Sequence, residues 1–211
     1  MTEGMGDTYK TLAAPGQGLY KSKGSKFISF AYPVRTEDDV KRHLDLLRKE
    51  FHDARHHCYA YITGFKQEYF RANDDGEPNN SAGKPILGQL YSFELTNTLI
   101  VVVRYFGGTL LGVGGLITAY KSAAEDALKN ATIITRTVEE TISVHFGYED
   151  ISQVMRILKD DEITVSHQKL ETDCTINFNI RKNRTEEFVE KLENLKTTKV
   201  RVIKPDKGNN V

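Results

Sequence analysis

Leu99-Ile100-Val101-Val102-Val103-Arg104-Tyr105-Phe106-Gly107-Gly108-Thr109-Leu110-Leu111-Gly112-Val113-Gly114-Gly115 joins an unbroken aliphatic run to five glycines in nine positions. An aliphatic run without polar alternation suits a strand covered on both faces. Beyond the glycines, Leu116, Ala119, Tyr120, Ala123, Ala127 and Leu128 recur at helical spacing, which predicts a helix starting after Gly115. Glycine takes up positive φ and lets a neighbouring backbone or ligand come close. The free N–H groups that open a helix attract anions. The stretch therefore reads as a binding surface, with a small anion at the Gly-rich turn as one occupant. Backbone-to-backbone packing explains the same glycines equally well.

Working outward, the 211 residues suffice for two modest domains, each with its own core. Lys plus Arg and Asp plus Glu both number 29, so any positive surface for nucleic acid must be local. The two cysteines, Cys58 and Cys174, each fall in a strand-like alternation, as in a reduced cytosolic protein. No apolar run reaches membrane-spanning length, so a soluble, cytoplasmic protein is expected, with no membrane partner.

Upstream, residues 1–17 are expected to fray. Three lysines among aromatics in Tyr20-Lys21-Ser22-Lys23-Gly24-Ser25-Lys26-Phe27 suit a protected sheet edge better than an RNA contact. Phe27 to Tyr32 reads as a strand. Thr36 is an N-cap for a helix carrying Val40, Leu44, Leu47 and Phe51. Cys58 to Ile62 and Glu68 to Arg71 form a hairpin, and residues 73–85 form a loop rich in helix breakers, with Pro85 in the first turn of the next helix. After the glycine stretch and its helix the pattern restarts as βαββαβ, the ferredoxin-like order. The domains are thus 18–135 and 136–204, with 205–211 as a polar tail.

Candidate chemistry narrows quickly. Gly107 and Gly112 have Walker spacing, but Val113-Gly114 stand where Lys and Ser/Thr are needed, and no GxGxxG register fits. His52-Asp53-Ala54-Arg55-His56-His57 has a shortened acid and straddles a helix-to-strand transition, so it lacks the geometry of a zinc helix. Neither metal nor cofactor is expected. Asp74, Asp75 and Glu77 suit Mg²⁺ or acid/base work, yet turn formation is the favoured explanation. Ser81 has no visible base.

The motifs Asp74-Asp75-Gly76-Glu77-Pro78, Ser81-Ala82-Gly83-Lys84-Pro85-Ile86-Leu87, Val103-Arg104-Tyr105-Phe106-Gly107-Gly108 and Leu111-Gly112-Val113-Gly114-Gly115-Leu116, followed by Ala119-Tyr120, resemble the IMPACT family and its YigZ-like bacterial members. Lys23-Gly24-Ser25-Lys26-Phe27-Ile28 and His52 to Ala60 extend the likeness, which spans residues 18–204. Asn79-Asn80 and Ser81 depart from the Ser-Gly and Thr common in the family. The resemblance implies an α+β protein whose N-terminal domain is like the second domain of ribosomal protein S-five. Its ferredoxin-like C-terminal domain would be similar to the last domain of elongation factor G. Eukaryotic members regulate translation initiation through a protein partner.

The leading expectation is a non-enzymatic regulator or accessory factor linked to translation, binding RNA, the ribosome or a translation-associated protein. Its candidate binding residues are His56, Asp74, Asp75, Glu77, Ser81, Lys84, Arg104, Tyr105, Gly107, Gly108, Gly112, Gly114, Gly115 and Tyr120. Two alternatives are a hydrolase or phosphate-handling enzyme using Asp74, Asp75 and Glu77 with Arg104, and a protein-interaction module using the ferredoxin-like half. Catalytic residues are not assigned.

Overall fold

A computed structural model describes residues 7–195 and 197–203. The elements run β1 (Thr8–Ala14), β2 (Gly16–Ser22), β3 (Ser25–Pro33), α1 (Glu37–Glu50), β4 (His56–Thr63), β5 (Tyr69–Asn73), α2 (Gly83–Ser92), β6 (Thr98–Tyr105), α3 (Gly112–Lys129) and β7 (Thr132–Thr137). They continue with β8 (Glu139–Gly147), α4 (Ile151–Asp160), β9 (Val165–Lys169), β10 (Asp173–Arg181), α5 (Thr185–Glu193) and β11 (Lys199–Ile203). Two compact units divide the chain. One is Tyr9–Arg136, and the other comprises the described residues of Met1–Thr8 and Thr137–Val211.

In the first unit five strands pair antiparallel in the order β2-β3-β6-β4-β5. The aliphatic run is the middle strand, and its alternation is hidden because both faces are covered. Ile100 and Val102 join a core with Leu90 of α2 and Leu116, Ala119 and Tyr120 of α3. Leu99, Val101 and Val103 join a second core with Val40, Leu44 and Leu47 of α1. That helix starts where expected: Thr36 Oγ1 accepts the Asp39 N–H at 3.1 Å, and Asp39 Oδ2 accepts the Thr36 N–H at 3.1 Å, a reciprocal capping box. The lysine-bearing β2 is an edge strand.

Three local expectations are corrected. Residues 8–14 are ordered as β1, paired with β7. The buried residues of this strand, Thr11 and Leu12, are adjacent in sequence and gave no alternation to read. The long helix begins at Gly112, so Gly112, Gly114 and Gly115 lie in its first turn, since glycine leaves no side-chain pattern by which to place a boundary. The 73–85 loop ends early because α2 starts at Gly83. The expected fraying of residues 1–6 and the tail at 205–211 lie outside the described residues.

The second unit is ferredoxin-like. Its elements run β8-α4-β9-β10-α5-β11, and the antiparallel sheet order is β11-β8-β10-β9. Ile142, Val144, Cys174, Ile176 and Phe178 face Val154 and Leu158 of α4 and Phe188 and Leu192 of α5 in one core. The protein is therefore α+β, with an antiparallel sheet in each unit.

Candidate functional site

Strand β6 carries Arg104 and Tyr105 to opposite faces of the sheet, as strand alternation requires. Arg104 follows Ile100 and Val102 toward α3. There it is 6 % exposed and places Nη1 at 2.6 Å from Glu77 Oε1, itself on a residue only 8 % exposed. The same carboxylate oxygen accepts the Tyr120 hydroxyl at 2.7 Å. Cys58 Sγ of β4 stands 3.3 Å from that hydroxyl and 2.9 Å from the Asp74 carbonyl. Burial pushes both the Cys58 thiol and the Tyr120 phenol up from their ordinary ranges. The Phe27 and Phe106 rings lie 5.5 and 5.7 Å from the guanidinium carbon, within cation–π range. The two aromatics and the carboxylate hold the guanidinium in place.

The acidic loop is bound to its own backbone. Asp74 Oδ1 accepts the N–H groups of Ala82 at 3.0 Å and Gly83 at 2.8 Å, and Oδ2 accepts that of Asn80 at 2.8 Å. It thereby caps α2, whose preceding residue Ala82 has no capping side chain. Asp75 Oδ2 accepts the His57 N–H at 2.6 Å, and the Asp75 carbonyl accepts Nδ1–H of His56 at 2.8 Å. Ser81 is fully buried and donates to the Pro78 carbonyl at 2.6 Å. Residues 73–83 are thus fastened to β4 and α2. Asp74 bonds within its own turn, whereas Asp75 reaches across to the His57 N–H of β4.

The glycines divide by cause. At Gly107 a Cβ would sit 1.9 Å from the Gly24 carbonyl carbon, so this residue lets the β2–β3 turn pack on the end of β6. Its N–H also donates to Ser25 Oγ at 3.1 Å. Gly108 has φ +85°, where a side chain is strained. Gly115 meets the Leu111 Cβ at 2.9 Å, whereas a Cβ on Gly114 would meet nothing within 4 Å. No capping side chain and no acid occupies the first turn of α3. Around this turn Phe106, Leu110, Val113 and Ile117 are exposed, Leu110 by 82 %.

His56, Asp74, Asp75, Glu77, Ser81, Arg104 and Tyr120 are therefore brought into one connected region, with Gly107 beside it. Two expected residues stand apart. Tyr105 points to the α1 face and donates to Asp53 Oδ1 at 2.6 Å, a bond to a carboxylate that pushes its hydroxyl up to about 12. Lys84 is exposed on α2. Cys58, Phe27 and Phe106 were missed as parts of the network. The available signal was parity, because Cys58 shares the alternation of Ala60 and Ile62 toward α2 and α3.

Fold and site together define a two-unit α+β protein in which a buried acid–arginine–tyrosine cluster fastens a loop beside a glycine turn. Residues 23–128 match the Impact N-terminal domain, and the chain belongs to the IMPACT family. It is similar to IMPACT family member YigZ of Escherichia coli, 34% identical over 148 residues that cover 69% of this chain and 72% of that protein. Member YvyE of Bacillus subtilis is 28% identical over 183 residues, 87% of this chain and 84% of that one. A crystal structure of a hypothetical protein superposes with a TM-score of 0.70 at 27% identity, over 95% of this chain and 99% of the other. Among the described residues no helix is long and apolar enough to cross a membrane.

Proposed function

We propose that this protein is a cytoplasmic, non-enzymatic regulator or accessory factor linked to translation. It binds RNA, the ribosome or a translation-associated protein through the outer surface of residues 73–85 and 104–115. The link to translation follows from family membership, since eukaryotic IMPACT proteins regulate initiation. The observation that carries a binding role is the way the loop's acids are used. Asp74 and Asp75 hold backbone N–H groups, and Glu77 is buried against Arg104 and Tyr120. A hydrolase would need a carboxylate or Ser81 open to substrate, whereas Glu77 and Ser81 are buried, Asp74 and Asp75 hold backbone N–H groups, and the exposed side chains nearby are the apolar Phe106, Leu110 and Val113. Sedimentation of the full chain with ribosomes and with total RNA at low salt tests the role. Co-migration with either is expected. Absence from both fractions, under conditions that favour electrostatic binding, contradicts it.

A further inference from the structure

The ferredoxin-like sheet covers one face with α4 and α5, and its strand register fixes what the other face carries. Lys199 pairs with His145, His145 with Thr175, and Thr175 with Lys169. Two residues along, Arg201 pairs with Ser143, Ser143 with Asn177, and Asn177 with His167. Side chains directly opposite one another share a face, and the intervening Val144 and Ile176 point into the core. Two complete rows therefore cross all four strands. They hold three permanent cations, two histidines, two hydroxyls and an amide, and no acid. With strands about 4.8 Å apart, each row spans about 14 Å.

Lys169 meets an acid, the exposed Glu171 at 3.1 Å, while Lys199 and Arg201 line a cavity of about 390 Å³ with His145 and, at its rim, Asp173. His145 is held by Thr175 Oγ1 at 2.9 Å from Nδ1. In the middle of the second row Ser143 is buried, and so is Asn177 Oδ1, which has no hydrogen-bond partner within the protein. In a chain of zero formal net charge, this is a local concentration of positive charge of the kind a polyanion requires.

We infer that this open sheet face binds RNA along its sugar–phosphate backbone, as a second surface separate from the one on the N-terminal unit. Lys199, Arg201 and Lys169 neutralise phosphates. The half-exposed Thr175 hydroxyl stands where a 2′-hydroxyl can reach it. The His145 and His167 rings offer stacking that tolerates any base, so binding depends on salt and little on sequence. An acidic polypeptide would engage the cations and leave the imidazole rings and the Thr175 hydroxyl unused. The inference stands on the strand register and holds whether or not the N-terminal face binds a partner.

Fluorescence anisotropy of a labelled oligouridylate with the full chain tests this, at about 50 and about 200 mM salt. The Lys199→Glu, Arg201→Glu pair is expected to bind roughly tenfold more weakly at the lower salt. The slope of log affinity against log salt should be shallower by about 1.4, from two lost phosphate contacts on a single strand. Polyglutamate should compete poorly. The neutral pair Lys199→Gln, Arg201→Gln must move affinity in the same direction, which keeps the test valid if charge reversal perturbs folding. No wild-type binding at low salt, unchanged affinity in a folded variant, or equal competition by polyglutamate overturns the inference.

Discussion

The acidic loop at 73–83 and the glycine turn at 107–115 are neighbours built on opposite plans. In the loop, carboxylates are consumed: Asp74 accepts three backbone N–H groups, Asp75 accepts one, and Glu77 is buried in an ion pair. In the turn, Gly107 is clamped against Gly24, whereas Gly114 faces open space and Leu110 stands in solvent. The charged segment spends its carboxylates on the fold, and the glycine segment carries the freer surface. Burial explains Glu77, because a carboxylate removed from water must be paired, while the half-exposed Asp74 answers the open N–H groups at the start of α2 and a glycine needs no partner.

Removing the support should give the largest effect. Glu77→Gln strands the buried Arg104 cation and is expected to lower stability by about 3–5 kcal/mol in urea unfolding. Adding Arg104→Met should recover part of that loss. If Glu77→Gln alone unfolds like the parent, the acid is not a support. Tyr120→Phe removes one hydrogen bond to a charged group and should cost about 1.5–3 kcal/mol by the same measurement. An unchanged midpoint would detach Tyr120 from the cluster.

Acidity offers a smaller test of the sheet beneath the loop. His57 is buried in β4, and burial holds its imidazole below the ordinary range. The unfolded chain then takes up a proton near pH 6.5 that the folded chain refuses, so stability is full above that pH and falls as the pH is lowered through it. His43, lowered mainly by burial and then by Arg42, acts with the same sign. Urea midpoints from about pH 7.5 to 5.5 should decline, and His57→Gln should flatten part of the slope. A midpoint that rises on acidification contradicts this protonation state.

The elements that were legible in the sequence are those whose physics is local. Thr36 with Asp39 announces α1, the aliphatic run announces β6, and the second-unit pattern announces the βαββαβ order. What escaped depended on partners far along the chain. β1 is held by β7, more than a hundred residues away. Cys58 joins the cluster only because Asp74 and Tyr120 converge on it. Tyr105 and Arg104 are adjacent in sequence, and only the packing on each face shows that the former leaves the site. The family motifs singled out these segments, but their division into support and surface required distances.

Gly114→Glu tests the central contrast most directly. A Cβ at this position would meet nothing within 4 Å, leaving glycine in a helix costs no stability, and an acid suits a helix's first turn. The variant should therefore melt at the parent's temperature or slightly above it. In low-salt sedimentation with ribosomes and total RNA, with Lys199→Gln and Arg201→Gln in both proteins so that the ferredoxin-like sheet is silenced, the variant should lose co-migration that the parent shows. A folded Gly114→Glu protein that co-migrates like the parent, or one that fails to fold, would contradict the assignment of the turn as the working surface.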